Sequence, residues 1–337
     1  MTWNPDTVKA DESAAKRPAA GLTRQLDDGL WVLDTMHQDE PGVVASYLLS
    51  GDDGLALVDV GPAKTLEYLL TGIRATGHRP EDIRHIVLTH IHLDHAGATG
   101  DLVRLVPAAT VYVHPLGAPH LIDPTKLLAS ARRIYGDEMD TLWGGFEAVP
   151  AGRIVELADD ETIAVGGRQL TALHTPGHAV HHIAYHDPAR NVLFAGDVAG
   201  VRLAGLNFVR PPTPPPDLSL EDWSASLSRL RELGLREVYL PHFGVVRDAD
   251  AHLDALEKRL YEWGERVLMA LRGGQDVDTL AETLAAEWEP ELKAALEPAD
   301  VKTAARQMRR YELATNYRMT VLGYERYYRR RHPEWLA

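Results

Sequence analysis

The sequence predicts an α/β domain followed by an all-α extension. Short β-rich runs recur in two groups, at residues 30–114 and 153–242, and helical spacing appears between runs of the first group. From residue 248 onwards, apolar residues recur at helical spacing instead. We therefore divide the chain into a flexible N-terminal arm (1–24), a main domain (25–247) and a C-terminal helical extension (248–337).

The composition excludes several classes of protein and of site. With 337 residues, of which 45% are apolar and 25% charged, the chain is an ordinary globular protein with room for a large core. It has no cysteine, which excludes disulfides, thiolate zinc sites and a cysteine nucleophile. Neither a signal peptide nor an apolar run of about 18 residues is visible, so we expect a cytoplasmic protein without membrane partners.

The first half predicts a β-β-β-α-β-α-β order. Three runs should form an antiparallel meander, with a Gly-Asp-Asp-Gly turn between the second and third. A helix over about 63–75 leads to a buried strand at 84–88, and a second helix should run from residue 95 to about 106. The predicted strands are 30–33, 43–49, 55–59, 84–88 and 110–114.

An insertion separates the halves. Residues 115–150 lack strand alternation, contain a helix over about 126–135, and could overhang a site. The strands of the second half are predicted at 154–157, 162–165, 169–174, 182–186, 191–195 and 237–242.

Two further segments have a clear pattern. The proline-rich stretch 210–217 must be a stiff loop, because proline fixes φ and removes a hydrogen-bond donor, and Ser219 caps the helix that follows. The extension should contain a long helix over 253–271, shorter helices near 277–296, and a continuous helix over 299–330.

The most informative stretch follows the buried strand 84–88. His90, His92, Asp94 and His95 place four potential metal ligands within six residues, in a loop between a strand and a helix. The chain has 16 histidines, so two or three close together are expected by chance, but four such side chains at this spacing are not. Imidazoles with a carboxylate suit zinc, with iron or manganese as substitutes.

Three more strand ends carry suitable side chains. His178 follows the strand 169–174, Asp197 follows 191–195, and His242 ends the strand 237–242, each in a turn shaped by glycine or proline. Taken singly, each signal is weak.

Together, in order, these seven residues resemble the ligand set of the metallo-β-lactamase superfamily, in particular its glyoxalase II-like hydrolases, over residues 25–245. The resemblance implies an αββα four-layer sandwich with two metal ions at the sheet edge. It implies that His90, His92 and His178 bind one ion, that Asp94, His95 and His242 bind the other, and that Asp197 bridges them. His182, where many relatives also have histidine, would support a ligand or contact the substrate.

The resemblance also implies an activity. Two divalent ions, of which Zn²⁺ is the first candidate, would supply a bridging hydroxide that attacks the carbonyl of a small ester, thioester or lactone. Asp94 would steer this hydroxide and pass its proton to the leaving group. The bridging Asp197 and the lack of cysteine argue against β-lactam hydrolysis, and His92 argues against oxygen reduction. Unlike homoserine-lactone hydrolases, the chain has no tyrosine just after Asp197.

A nucleolytic hydrolase is the main alternative. From residue 301 onwards nine basic residues face three acidic ones, a net +6, and five tyrosines could stack on bases. However, the overall charge of −14 leaves −20 on the rest of the chain, which repels phosphates, so we expect these tyrosines to pack inward. A non-catalytic metal-binding scaffold and a homodimer formed through the extension are left open. His114, His174, His181 and His186 receive no role.

Overall fold

In the computed structural model, which describes residues 21–296 and 299–336, the strands form two mixed sheets. The first has the order β1 to β7, antiparallel from β1 to β4 and parallel from β4 to β7. The second has the order β13-β12-β11-β10-β9-β8, in which only β11 and β12 pair in parallel. The strands are β1 (Thr23–Asp27), β2 (Leu30–Asp34), β3 (Ala45–Gly51), β4 (Gly54–Val58), β5 (Ile83–Val87), β6 (Thr110–Val113), β7 (Ile154–Glu156), β8 (Thr162–Val165), β9 (Arg168–His174), β10 (Ile183–Asp187), β11 (Val192–Phe194), β12 (Glu237–Leu240) and β13 (Gly244–Val246).

Helices cover the outer face of each sheet. The first six pack with the first sheet around one apolar cluster, and the seventh, eighth, ninth and eleventh pack with the second sheet around another. The predicted αββα sandwich with a helical C-terminal extension is therefore confirmed. The helices are α1 (Leu66–Ala75), α2 (Leu93–Ala96), α3 (Thr99–Leu105), α4 (Ala118–Ile122), α5 (Thr125–Tyr135), α6 (Met139–Leu142), α7 (Leu220–Arg231), α8 (Ala249–Arg272), α9 (Val277–Ala295), α10 (Val301–Ala314) and α11 (Tyr317–Arg331).

The sheets bury both of their faces because their strands are apolar on both sides. In β4, Ala56 and Val58 lie between the two sheets, whereas Leu57 faces the helices. In β11, Val192 and Phe194 likewise lie between the sheets, and Leu193 packs against the other helical layer. Because side chains alternate between the two faces of a strand, each of these strands contributes to two apolar cores.

Two edge strands were missed from the sequence. β1 is a polar run whose side chains are partly exposed, and β13 has only three residues, so neither shows the apolar alternation that identifies a strand. β1 begins at Thr23, inside the stretch that we assigned to the arm. Residues 1–20 of the predicted arm lie outside the described residues.

Three helix predictions need correction. The helix after the ligand motif is divided at Gly97 into α2 and α3. The shorter helices near 277–296 are one helix, α9, with Pro290 inside it. The single helix over 299–330 is broken between Ala314 and Tyr317, because the Asn316 side chain accepts a hydrogen bond from the Met319 N–H and so begins a new helix.

The extension shares its core with the second sheet. As expected, Tyr324, Tyr327 and Tyr328 pack inward, and the Tyr324 hydroxyl donates to the Leu260 carbonyl at 2.6 Å. The other two tyrosines of the tail, at 311 and 317, are also buried. Arg306 and Arg310 pair with the carboxylate of Glu40. The stacking surface that the nucleolytic alternative requires is therefore not offered by these rings.

The proline-rich loop is fixed to the extension. Arg210 is almost fully buried, donates to the Thr315 carbonyl at 2.9 Å and to Glu312 at 2.6 Å, and lies 4.0 Å above the ring of Tyr317. Nearby, α11 presents Gly323 to the backbone of Thr213, where an added Cβ would lie only 1.7 Å from the carbonyl oxygen. Only glycine allows the loop and the helix to approach so closely.

Candidate metal centre

All seven predicted ligands come together where strands of the two sheets end. The motif loop follows β5, and the other three side chains follow β9, β11 and β12. Three sets of side chains each offer donor atoms within 4.8 Å of one another, and together they use every predicted ligand. The sets are His90, His92 and His178; His90, His95 and Asp197; and Asp94, His95 and His242.

The first set is compact. Nε2 of His90 lies 3.0 Å from Nδ1 of His92, and Nε2 of His178 lies 2.9 Å from the same atom. Asp197 borders this set, because its Oδ2 lies 3.4 Å from Nε2 of His178. Three imidazole nitrogens and one carboxylate oxygen thus face a common point.

Asp94, His95 and His242, called the second set from here on, share the same carboxylate, that of Asp197. Asp197 Oδ1 lies 3.4 Å from Nε2 of His95 and 3.3 Å from Nε2 of His242. Asp94 Oδ2 lies 3.5 Å and 3.4 Å from these two nitrogens. Ligands about 2.0–2.1 Å from a tetrahedral zinc ion are about 3.3–3.4 Å apart, so the spacing of these donors fits such an ion.

The second ring nitrogen of four of these histidines is already occupied. Nδ1 of His178 pairs with the Pro212 carbonyl at 2.7 Å, and Nδ1 of His242 pairs with the Val43 carbonyl at 3.0 Å. Nδ1 of His95 lies 2.9 Å from Oδ2 of Asp59, and Nδ1 of His90 lies 3.1 Å from a threonine hydroxyl. These contacts fix the rings and leave Nε2 for a metal.

His182 supports Asp197. Its Nε2 accepts hydrogen bonds from the backbone N–H groups of Asp197, at 3.0 Å, and Val198, at 3.3 Å, and its Nδ1 therefore donates to the Thr175 hydroxyl at 2.8 Å. Gly196, at φ +55°, leaves no room for a Cβ, which would lie 2.4 Å from this Nε2. His182 does not line the cavity, which favours support of a ligand over a substrate contact.

Burial keeps the first set neutral. Desolvation, reinforced by neighbouring histidines, lowers the pKa of His92 to about 3 and that of His90 well below its ordinary value. Desolvation also lowers the pKa of His178. Neutral imidazole is the form that binds a metal.

The second set is strongly polarised. Burial opposes charge on Asp94 and Asp197, but His95 and His242 hold the pKa of both carboxyls well below the ordinary value. Burial likewise opposes charge on the two histidines, yet the carboxylates raise the pKa of His242 to about 10 and that of His95 well above normal. The carboxylates thus attract positive charge to this point, whether a proton or a metal ion.

Some of these donors lack a partner of their own. Within the described part of the chain, Nε2 of His95, Nε2 of His242 and Oδ1 of Asp197 are buried without a hydrogen bond. Buried polar atoms are normally satisfied. Orphaned nitrogen and oxygen donors converging on one point match the donor set that a divalent cation requires.

A cavity of about 660 Å³ opens onto these donors. Asp94, Asp197, His92 and His178 lie on its wall. The insertion contributes α5 and Trp143, in agreement with its predicted position over the site, and the proline-rich loop forms part of another wall. The extension adds residues 312–316, 318 and 319.

Three residues near the donors were missed from the sequence. Asp59 contacts His95, and both His37 and His181 are buried on the cavity wall. The signal for Asp59 was its place after β4, which pairs in parallel with β5 and so ends beside the ligand loop. His37 and His181 had no comparable signal.

The other unassigned histidines have packing roles. His114 does not line the cavity, and its ring packs against that of His174, with centroids 4.1 Å apart and the ring planes tilted by 39°. His174 also pairs with the Leu157 carbonyl at 3.0 Å, and His186 pairs with the Asn191 side chain at 3.1 Å.

No helix within residues 21–296 and 299–336 has the length and apolarity needed to cross a membrane. The cytoplasmic location and the homodimer stay predictions.

Known proteins resemble the chain in sequence and structure. Residues 39–242 match the metallo-beta-lactamase superfamily. A metallo-beta-lactamase fold-containing protein of Sulfurisphaera tokodaii is 30% identical over 61% of this chain and 75% of its own length. The acyl-coenzyme A thioesterase MBLAC2 of Homo sapiens is 27% identical over 65% of this chain and 80% of its own length.

A solved structure extends the likeness into the helical region. The metallo-beta-lactamase family protein TTHA1429 from Thermus thermophilus superposes with a TM-score of 0.66 and 25% identity, covering 90% of this chain and 94% of its own. Fold, donor geometry and sequence therefore agree: the chain belongs to the metallo-β-lactamase superfamily and is a metal-dependent hydrolase.

Proposed function

We propose that the chain is a dinuclear hydrolase that cleaves the carbonyl–heteroatom bond of a small thioester, ester or lactone, with thioesters the first candidates. The observation that carries this proposal is the sharing of Asp197 between two donor sets that open onto one largely apolar cavity. The likeness to a human acyl-coenzyme A thioesterase adds weight to thioesters.

The proposed ligand assignment follows the two donor sets. His90, His92 and His178 would hold one ion, Asp94, His95 and His242 would hold the second, and Asp197 would serve both. Zinc is the first candidate for both ions. When bound, such a pair of ions lowers the pKa of a water molecule towards neutrality and polarises the carbonyl under attack.

Asp94 moves the proton in this scheme. Its carboxylate lies on the cavity wall, is ionised, and has an 18% exposed side chain, so it can accept a proton from a water molecule in the cavity. The protonated carboxyl can then donate to the leaving oxygen or sulfur. Asp94 is thus the catalytic acid and base as well as a ligand.

The rest of the cavity binds and orients the substrate. Leu127, Ala131 and Ile134 of α5 line one part of the cavity, and the prolines at 214–216 line another. An aliphatic group of the substrate would pack against both. Such walls exclude bulk water and suit an acyl chain. We also propose that residues 25–247 form the hydrolase domain and that residues 248–337 contribute one wall.

Metal analysis combined with a substrate screen tests the proposal. The purified protein, loaded with zinc, would be assayed for metal content and for hydrolysis of acyl-coenzyme A thioesters, aryl esters, lactones, β-lactams and phosphodiesters. We expect about two metal ions per chain and turnover of carbonyl substrates. The variant His178→Ala, which lacks one ligand of the first ion, should lose turnover and about one of the two ions, whereas Asp160→Asn, at an exposed turn outside the cavity, should lose neither. Cleavage of phosphodiesters alone would contradict the proposal.

A further inference from the structure

A stacked pair of side chains on the cavity wall lies outside the ligand set. The rings of His37 and Trp143 are nearly parallel, with centroids 5.1 Å apart and an interplanar angle of 16°. Both residues line the cavity and are buried, with exposed fractions of 2% and 8%. Neither belongs to the donor sets described above.

Both rings carry a polar atom without a partner. Nδ1 of His37 and Nε1 of Trp143 are buried and form no hydrogen bond with any residue that the structure describes. A buried polar group left unsatisfied costs about 1–3 kcal/mol, so such pairs are rare in ordinary cores. Because neither enclosed atom has a partner in the described chain, no hydrogen bond from these two atoms explains why two polar rings stand at the wall of this cavity.

The loop that carries His37 is unusual. Met36, Gln38 and Asp39 all have φ between 54° and 57°, a left-handed conformation that non-glycine residues seldom adopt. The carboxylate of Asp34 holds the loop by accepting from the N–H groups of Met36, at 2.9 Å, and Gly42, at 2.7 Å. Strained backbone of this kind persists where the surroundings enforce it, often at functional sites.

Further hydrogen bonds tie the loop to α6 and α1. The Gln38 amide donates to the Leu142 carbonyl at 3.3 Å, and the Tyr68 hydroxyl donates to Asp39 at 2.8 Å. The bond from Gln38 holds the loop against α6, directly before Trp143, and the bond from Tyr68 holds it against α1. His37 is therefore placed by several independent bonds of its loop, although Nδ1 of its ring has no partner among the described residues.

His37 can act as a neutral hydrogen-bond donor. Burial lowers the pKa of His37 to about 4, so near pH 7 the ring carries one proton. Nδ1 is fully enclosed, which leaves Nε2 as the nitrogen that can face the cavity. Enclosing a bare lone pair costs less than enclosing an N–H group, so Nε2 carries the proton. The loop that carries His37 leads into Val43, whose carbonyl pairs with Nδ1 of His242 at 3.0 Å, so His37 lies on the side of the second donor set.

We propose that the Nε2–H of His37 donates a hydrogen bond to the leaving oxygen or sulfur of the substrate, on the Asp94 side of the cavity. This inference rests on the proposed function. As the bond to the carbonyl carbon breaks, negative charge grows on the leaving atom, and a donor that is already in place stabilises this charge in the transition state. The rate of cleavage should therefore depend more on this hydrogen bond when the leaving group is poor than when it is good.

The dependence of rate on leaving group tests this role. The variant His37→Phe keeps the ring stacked on Trp143 and removes both nitrogens. With the zinc-loaded protein and acetate esters of p-nitrophenol, phenol and an alkyl alcohol, we expect kcat/KM of His37→Phe to fall by less than about twofold for the first and by about tenfold for the last. His37→Gln, which keeps an N–H donor, should recover part of this loss.

His181 provides the matched control. It is also buried on the cavity wall and has an unpartnered Nδ1, but its ring stacks over His90, with centroids 6.3 Å apart, on the side of the first donor set. His181→Phe should leave the dependence on leaving group unchanged. Metal content would be measured in all variants.

Each other outcome has one meaning. An equal loss of kcat/KM by His37→Phe across the three esters, or no loss, would overturn this inference and reduce His37 to a packing partner of Trp143. No hydrolysis of any carbonyl substrate by the unaltered chain would overturn the proposed function, and this inference with it.

Discussion

Oδ2 of Asp59 lies 2.9 Å from Nδ1 of His95, and the same side chain accepts hydrogen bonds from the N–H and the hydroxyl of Thr89, both at 2.8 Å. One carboxylate thus fixes the ring of a proposed ligand and the start of the ligand loop. Asp59 has φ +56°, a conformation that asparagine tolerates better than most residues.

Asp59→Asn should therefore keep the fold and weaken metal binding. The amide cannot hold the His95 ring as a carboxylate does, and loss of such support typically lowers metal affinity about 10- to 100-fold. Competition with a chromophoric chelator measures this affinity. Asp82→Asn, which alters an exposed carboxylate paired with Arg79, is the control and should bind zinc normally. An unchanged affinity in Asp59→Asn would show that the hydrogen bond is structural only.

Asp94→Ala should abolish hydrolysis while leaving the fold intact. The substitution removes both a proposed ligand and the group that moves the proton, and loss of a general acid or base alone lowers kcat about 10²- to 10⁴-fold. Turnover of the best substrate, with circular dichroism to verify folding, tests this expectation. Retained turnover would remove the catalytic role from Asp94.

Removal of the metal should destabilise the protein. A ligand at 100 times its Kd stabilises the folded state by about 2.7 kcal/mol, and two ions would do so twice if they bind independently. Calorimetry before and after treatment with dipicolinate should show a fall in Tm that added zinc reverses. The same treatment should lower the Tm of His178→Ala by less, because this variant lacks a ligand of the first ion. A Tm that does not respond to zinc would contradict a metal site built from these residues.

His252 should make stability depend on pH. It is buried, its Nε2 pairs with the Ala199 carbonyl at 2.7 Å, and burial lowers its pKa from 6.5 to about 4. The unfolded chain therefore takes up a proton first as the pH falls. The stabilisation is complete above about pH 6.5 and is lost between there and about pH 4, by about 3 kcal/mol in total.

The matched variant isolates this effect. His252→Gln retains a donor for Ala199 but does not titrate in this range. Urea unfolding at several pH values should give a smaller loss of stability on acidification for His252→Gln than for the unaltered chain, although the metal ligands add an acid dependence to both. Equal slopes would contradict the role of His252.

Arg210 should connect stability with substrate binding. Arg210→Met loses the bonds to Glu312 and to the Thr315 carbonyl, and Thr315 lines the cavity. Because hydrogen bonds from a buried charged group contribute about 1.5–3 kcal/mol each, we expect a loss of about 2–4 kcal/mol and a raised KM with little change in kcat. Arg266→Met, which breaks a surface pair with Glu287, should cost less than about 1 kcal/mol and leave KM unchanged. An unchanged KM in Arg210→Met would separate the loop from substrate binding.

The ligand loop could be recognised from sequence because its information is local. Four ligand-type side chains follow one apolar strand, so spacing alone indicates the chemistry. Asp59 and His95 are 36 residues apart and meet only because β4 and β5 are parallel neighbours. Their contact becomes visible once the pairing of those strands is known.

Other misses have different physical causes. The break between α10 and α11 depends on the Asn316 cap, a signal that the continuous Tyr and Arg pattern on both sides concealed. The position of His37 depends on a strained loop and on bonds to α6, a segment about 100 residues further along the chain. Such a position follows from tertiary contacts, so the spacing of apolar residues along the sequence does not predict it.

The C-terminal extension contributes residues 312–316, 318 and 319 to the cavity wall, whereas every proposed metal ligand lies before residue 243. One part of the cavity wall is therefore encoded apart from the proposed ligands. Mutations in the last quarter of the chain can change which molecules fit while the reaction stays the same. Homologues that align only over residues 39–242 should accordingly share a reaction more often than a substrate.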